Sequence, residues 1–391
     1  MASVVFYFQV HQPFRIKDYS FFKIGVDHQY FAIQQNTEIL HRIADNCYLP
    51  TNGLIRQAIQ RTKGKFKATF SFSGTVLEQF ELHRPEVIES FRDLLKTGCV
   101  EFLGETFYHS LSSVFSETEF ERQVLLHKKK LKELFDYEPA TFRNTELIFN
   151  DRIAELAKNM GFTGMVTEGT DRMLGLHTPN HIYELESLPE FPLLLRNFTL
   201  SDDISFRFSD TNWPAYPLTP AKFSDWLHHL APESETIGLF MDYETFGEHR
   251  QVETGIFSFL AGLPEQVLKH DKLDFATASE ALARYRPFAQ LECSDTISWA
   301  DESRDLSAWL ADNMQNDAVE KVYSLEKKVL ASGNEELIKT WGRLQTSDHF
   351  YYMSAKYWFD PTHQSFNPYR SPYDAYINFM NVLSDFERLL G

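Results

Sequence analysis

The chain has 391 residues, too long for one small domain and of a length that suits a barrel with additions. Apolar residues make up 43% of it, enough to bury a large core, which excludes a disordered chain. With 38 Lys and Arg against 55 Asp and Glu, the net charge of −17 disfavours nucleic acid and anionic lipid as partners; a neutral substrate such as a carbohydrate is indifferent to it.

Short apolar, β-branched or aromatic runs alternate with helical patterns along most of the sequence. The first, Val4–Val10, lacks a basic leader or a small-residue cleavage site and reads as a strand, not a signal peptide. Further strands are expected at Ala68–Phe72, Val100–Leu103, Ala140–Arg143, Gly164–Thr167, Ser205–Phe208, Ile237–Met241 and Asp274–Thr277. Near-continuous apolar runs of this kind belong to buried parallel strands. Helices fall between several of them. Ser116 and Glu119 form a capping-box pair ahead of Phe120, Val124, Leu131 and Leu134. Asn150 is placed to cap a helix with the stripe Ile153, Leu156, Ala157 and Met160, and Gly161 stands at its C-terminal end. Repeated strand–helix units predict a parallel sheet closed into a barrel.

The segment from about 171 to 220 breaks this rhythm with Pro179, Pro189, Pro192, Pro214, Pro217 and Pro220, and reads as a long irregular excursion over one barrel end. After Pro287 the pattern turns helical. Leu337, Trp341, Leu344, Asp348 and Tyr351 follow at helical spacing, and Ser371-Pro372 opens a final helix. The expected layout is a catalytic barrel over 1–287 and a helical region over 288–391 that contributes to the active site. No run approaches the roughly 20 apolar residues of a membrane span. The 3 cysteines, Cys47, Cys99 and Cys293, form no CxxC pair. That argues against a thiolate zinc site and suits a reducing compartment, so a cytoplasmic location is expected.

In a parallel barrel, functional groups sit at the C-terminal ends of strands. There the sequence places His11-Gln12-Pro13, the run from Gly104-Glu105 to His109, Asn144-Thr145-Glu146, and Asp242-Tyr243-Glu244. Any one acid or histidine there is more often a helix cap or a partner for loop backbone; several at one end point to chemistry. Two carboxylates across a barrel mouth suit glycosidic cleavage, one attacking the anomeric carbon and the other protonating the leaving oxygen. Glu146 has Arg143 and Asn144 nearby to keep it ionised. Asp242 and Glu244 share one face of an extended chain, which raises the pKa of one of them. Asp348 falls on an apolar helical stripe, so it faces inward toward either a core cation or the cleft. Trp213 and Trp299 are candidates for sugar stacking, with core packing an equal alternative. His177-Thr178-Pro179-Asn180-His181 carries the HxxxH spacing of metal-dependent polysaccharide deacetylases. Pro179 breaks the helix that such a metal site needs, and no Asp-Asp pair follows the first strand. The pair reads as a loop feature bordering the cleft.

Five stretches, taken in order, resemble glycoside hydrolase family 57 and within it the α-amylase-like members. They are His11-Gln12-Pro13, the run from Glu101 to Leu111, the run from Phe142 to Asn150, the run from Met241 to His249, and the run from Gln345 to Tyr352. Trp299-Ala300-Asp301, continuing through Arg304 to Trp309, resembles the same members. The likeness runs from near residue 4 to about residue 360. It implies a (β/α)7, incomplete TIM-like barrel with a helical C-terminal region, so at least one of the eight candidate strands lies outside the barrel. It also implies retaining cleavage of α-1,4-glucan or maltooligosaccharides, with Glu146 as nucleophile and Asp242 as general acid/base. His11, His109 and Asp348 then line the sugar subsite at the cleavage point, and Glu105, Glu244, Trp213 and Trp299 complete the expected substrate-binding set. Some members carry a second His two residues before the first triplet; here that position is Gln9. No metal or organic cofactor is implied. A 4-α-glucanotransferase would use the same pair and is the alternative. A metal-dependent deacetylase fits less well because His11-Gln12 stands where its acid pair belongs, and a catalytically dead glucan-binding protein fits less well because both carboxylates are present.

Overall fold

A computed structural model describes residues 1–356, 358 and 367–391. Among these, ten strands are found: β1 (Ala2–Val10), β2 (Ala68–Phe72), β3 (Val100–Phe102), β4 (Thr141–Arg143), β5 (Gly164–Glu168), β6 (Ile182–Leu185), β7 (Leu188–Arg196), β8 (Thr236–Asp242), β9 (Leu273–Phe275) and β10 (Gln290–Leu291). Seven run parallel as staves, in the order β1, β2, β3, β4, β5, β7, β8. β1 is buried at every residue and is flanked by β2 and β8. Ladders join β2 to β3, β4 to β5 and β5 to β7.

Two seams of this ring are thin. β7 meets β8 through the single pair Arg196 and Gly238. β3 meets β4 through an isolated bridge: the Gly104 N–H donates to the Thr141 carbonyl at 3.0 Å, and the Arg143 N–H donates to the Gly104 carbonyl at 2.9 Å.

Strand alternation sorts the core. On β1, Val5 and Tyr7 point into the barrel with Val166, Leu194 and Phe240, whereas Phe6 and Phe8 point outward. The outward faces build two separate cores. One covers β8, β1, β2 and β3 with helices such as Leu49–Arg61 and Ile256–Val267; the other covers β4, β5 and β7 with the C-terminal helices Asn313–Ser324 and Pro372–Leu389. Each fully buried Phe or Leu contributes about 1.5–3 kcal/mol, so these faces dominate the stability.

Several expectations are corrected. Ser205–Phe208 is not a strand: the Asn197 side chain accepts the Leu200 N–H at 3.1 Å and starts a helix over Phe198–Ser205. The missing stave is β7, inside the proline-rich segment. Pro189 sits at its exposed start, and the antiparallel arm β6 opposite it bulges between Tyr183 and Leu185, so the absent proline N–H groups cost no ladder bonds. The stretch near Asp274 forms the short β9 beside the start of β1, outside the ring. Past residue 287, β10 pairs with β6. At the Ser116 cap only half the box forms: Ser116 accepts the Glu119 N–H, but the Glu119 carboxylate turns to Arg122, Gln123 and Gln345. Asn150 caps its helix, and Gly161 adopts a φ of +85° beyond the end, where a side chain is disfavoured. All three cysteines are buried and unpaired. No helix among the described residues is long and apolar enough to cross a membrane.

Candidate active site

The alternation that fills the barrel also delivers its polar end. Continuing the register of Val5 and Tyr7, Gln9 turns inward, where the Tyr7 hydroxyl donates to it at 2.7 Å, and His11 follows at the rim. On β8 the same period puts Phe240 inside and Asp242 above it, opposite Gln9. A cavity of about 660 Å3 opens here, lined by His11, His109, Glu146, Asp242, Glu244, Trp299 and Asp348 among others. Seven of the nine expected site residues are therefore gathered at one end of the barrel.

Glu146 follows β4 in a left-handed turn, with φ +54°, and His109 follows β3 with φ +52°. These turns aim both side chains across the β3–β4 seam, and His109 Nε2 lies 2.6 Å from Glu146 Oε1. The second oxygen, Oε2, accepts the indole N–H of Trp299 at 2.8 Å. Burial alone would push the Glu146 carboxyl up; the His109 hydrogen bond, the Arg143 charge and the Trp299 N–H together hold it below the usual value. Burial and the neighbouring His11 charge push His109 down to about 4, so it is neutral near pH 7 and donates through Nε2 to the ionised carboxylate.

The His11 ring stacks on His109 with centroids 4.0 Å apart. Its Nε2 lies 2.8 Å from Asp348 Oδ2 and its Nδ1 2.7 Å from Ser73 Oγ. Burial opposes charge on His11, but Asp348 overrides it and raises its pKa, while His11 pulls Asp348 well below the ordinary carboxylate range despite burial. Asp348 lies not on the helix of Trp341 and Leu344, which ends at Leu344, but on a new short helix, Ser347–Tyr351.

Asp242 has the opposite environment to Glu146. Burial first, then the charges of Glu244 and Glu146, push it up to about 7. Glu244 is also pushed by burial to about 7, against the pull of the Tyr48 hydroxyl, which donates to it at 2.5 Å. Tyr48 carries no sequence motif. No sequence signal marks it: what sets it apart is its place on a π-helical turn, Ala44–Tyr48, a local defect often found at functional sites.

Two expected residues do not line the cavity. Glu105 is 0% exposed beneath the site, where its carboxylate meets Arg143 at 3.3 Å and Ser71 at 3.1 Å. Trp213 lies in the turn before the helix Pro220–Leu230, packed against Trp226 at 6.0 Å and Arg207 at 5.9 Å. Trp299 lines the cavity, but Arg143 and Arg196 lie 5.3 and 5.6 Å from its ring, and its N–H serves Glu146. Tyr352, at the end of the fifth resembling stretch, also lines it, as do Arg196 and Phe206, which no motif singles out. The HxxxH pair is not helical and does not border the cleft. His181 stacks on Phe288 at 4.1 Å and reaches Glu235 at 3.3 Å, just before the start of β8 and so at the far end of the barrel. No cluster of three or more metal-ligating side chains occurs among the described residues.

Comparison with known proteins shows the family and the fold. The chain is 41% identical over 98% of its length to a Methanocaldococcus jannaschii protein described as "Putative alpha-amylase", of which it covers 84%. Its fold is similar to that of a GH57 branching enzyme from Thermococcus kodakaraensis, with a TM-score of 0.72 and 12% identity over 99% of this chain and 90% of that one. It is also similar to the 4-alpha-glucanotransferase of Thermococcus litoralis, with a TM-score of 0.69 and 17% identity, where 89% of this chain spans only 56% of that protein. The sequence profile described as Glycosyl hydrolase family 57 matches residues 5–292, and the chain belongs to that family.

Proposed function

We propose that this chain cleaves α-1,4-glucan with retention of configuration, Glu146 acting as nucleophile and Asp242 as general acid/base. The observation that carries the reading is the divergence of two carboxyls in one cavity. Glu146 is held ionised by two donors, while burial and like charges push Asp242 up to about 7. In the first step a Glu146 oxygen attacks the anomeric carbon as Asp242 gives its proton to the departing glycosidic oxygen. In the second, the Asp242 carboxylate takes a proton from water, which attacks the same carbon and releases Glu146. His109 and Trp299 keep the attacking carboxylate in place, and each of its oxygens retains a lone pair for the bond to carbon. His11 and Asp348 form a hydrogen-bonded pair in the cavity wall suited to gripping sugar hydroxyls. Phe206, 57% exposed, offers the apolar sugar platform expected of Trp213. The α-glucan assignment draws on the name of the Methanocaldococcus relative. The unpaired buried cysteines support a cytoplasmic setting.

Incubation with maltoheptaose, followed by separation of the products, tests this. Shorter sugars alone, released with α-configuration, are expected. Longer sugars as well would mean transfer to a sugar acceptor by the same pair; no change at all would overturn the reading.

A further inference from the structure

Asp242 and Glu244 stand two residues apart in one buried wall, and each is an acid in a place that disfavours charge. Two such groups side by side hold one proton between them over a wide pH range, because the second negative charge must form next to the first. Catalysis needs that proton on Asp242. Something must therefore hold the charge on Glu244.

The turn carrying both acids is clamped from one side. The helix Ile33–Ile43 passes into the π-helical turn Ala44–Tyr48 and then into the helix Leu49–Arg61. Gly247, at φ +108°, approaches the π turn so closely that an added Cβ would lie 2.0 Å from the Asn46 carbonyl oxygen. Cys47 Sγ reaches the Tyr243 carbonyl at 3.2 Å, and Tyr243 donates to Asn52 at 2.5 Å. The extra residue of the π turn brings the Tyr48 ring to within 6.2 Å of the Tyr243 ring and its hydroxyl to Glu244 Oε1, 2.5 Å away. The same oxygen accepts the backbone N–H of His11 at 3.3 Å.

We infer that Tyr48 is a positioning residue that assigns the shared proton to Asp242 by holding Glu244 as the anion. The inference rests on Asp242 being the general acid. A fully buried phenol keeps its own proton, and the hydrogen bond it donates is roughly twice as strong to a carboxylate as to a carboxylic acid. Asp242 receives no comparable donor among the described residues. The charged or titratable groups facing the pair are Tyr7 and His11 from β1 and its end, Tyr48 and Cys47 from the π turn, Tyr243 from the pair's own turn, and Glu146 and Arg143 from β4 and its end. Of these, only Tyr48 and His11 bond directly to Glu244, and the His11 bond, a backbone N–H, is the longer of the two.

Tyr48→Phe tests this while keeping the ring packed on Phe80 and Tyr243. With the donor gone, Glu244 competes for the proton. The kcat/KM for a maltooligosaccharide, whose leaving group needs protonation, should fall by about tenfold or more, the factor for losing one hydrogen bond to a charged group. A dinitrophenyl maltoside, whose leaving group needs none, should suffer much less. The alkaline limb of the pH profile should move up, because the pair as a whole now binds its proton more tightly. A merely structural role would lower both substrates together and leave that limb in place, and this result would overturn the inference. In a Glu244→Gln background the competitor is absent, so Tyr48→Phe should cost nothing further; a loss there also refutes it. Should Tyr48→Phe fail to fold, Glu244→Gln alone decides: its alkaline limb must move down as the neighbouring charge disappears, and an unmoved limb overturns the inference. Asp242→Asn, run in parallel, must itself show the leaving-group split; its absence would overturn the acid assignment along with the inference, whereas its presence with an unaffected Tyr48→Phe overturns the inference alone.

Discussion

Removing the indole N–H that holds Glu146 should move the acid limb of catalysis by a calculable amount. Trp299 Nε1 donates to Glu146 Oε2 at 2.8 Å, and His109 remains on the other oxygen. Trp299→Phe keeps an aromatic ring at this position and deletes the donor together with part of the indole's bulk. A hydrogen bond to a charged group contributes about 1.5–3 kcal/mol. The Glu146 side chain is 24% exposed to the cavity, so water replaces part of the loss and the lower figure applies. At 1.36 kcal/mol per unit, that is a rise of about one unit in the Glu146 pKa. A nucleophile must be ionised, so activity is lost as pH falls through this pKa, and raising it moves the acid limb upward. The assay is kcat/KM against pH with a dinitrophenyl maltoside, which isolates the attack step from leaving-group protonation. An acid limb shifted up by about one unit, with activity near pH 7 largely kept, is expected. A limb that stays put, or moves down, would refute the idea that Trp299 acts through Glu146 rather than by stacking on sugar.

The two carboxylates should separate cleanly by variant. Glu146→Ala should abolish turnover, and azide should restore cleavage of an activated glucoside with a product of inverted configuration, since azide enters where the carboxylate stood. Asp242→Ala should spare activated leaving groups, and azide should then give product of retained configuration because the covalent intermediate still forms. In the unaltered protein, activity should decline as pH rises through about 7, as Asp242 loses its proton, measured on a maltooligosaccharide. Gly247→Ala should destabilise the fold by at least about 2 kcal/mol in chemical denaturation, from backbone strain plus the clash with Asn46; a change within about 0.5 kcal/mol would mean that the turn yields freely.

Much of the site is legible in the sequence because barrel chemistry is local along the chain. His11, Glu146 and Asp242 each stand at or within a few residues of the end of a strand, His109 lies in the loop that follows β3, and runs such as Val4–Val10 announce their strands by composition. Where the chemistry is not local, pattern fails. Tyr48 belongs to an ordinary amphipathic stretch, and only the π turn, which periodicity does not register, turns it toward Glu244. Trp213 and Trp299 carry the same side chain, yet one fills a surface turn and the other donates to Glu146, a difference set by tertiary packing. β7 escapes detection because prolines ordinarily argue against a strand; here they fall where an exposed start and a bulge relieve them. Ser205–Phe208 resembles a strand by composition, but the cap at Asn197 commits the residues from Phe198 onward to a helix and outweighs that β-preference.

The two thin seams divide the molecule into half-shells, each with a core of its own. Asp242 belongs to one shell and Glu146 to the other, and the His109–Glu146 bond crosses the boundary. The distance between Glu146 and Asp242 is therefore set across the joint between the shells, which the inward-facing Val5, Tyr7, Val166, Leu194 and Phe240 also bridge. This division places the two carboxylates on opposite sides of the most sparsely hydrogen-bonded lines of the ring. It also makes the joint the first casualty of heating: activity should fade, and amides at Gly104 and Asn197 should begin to exchange, some degrees before either core melts.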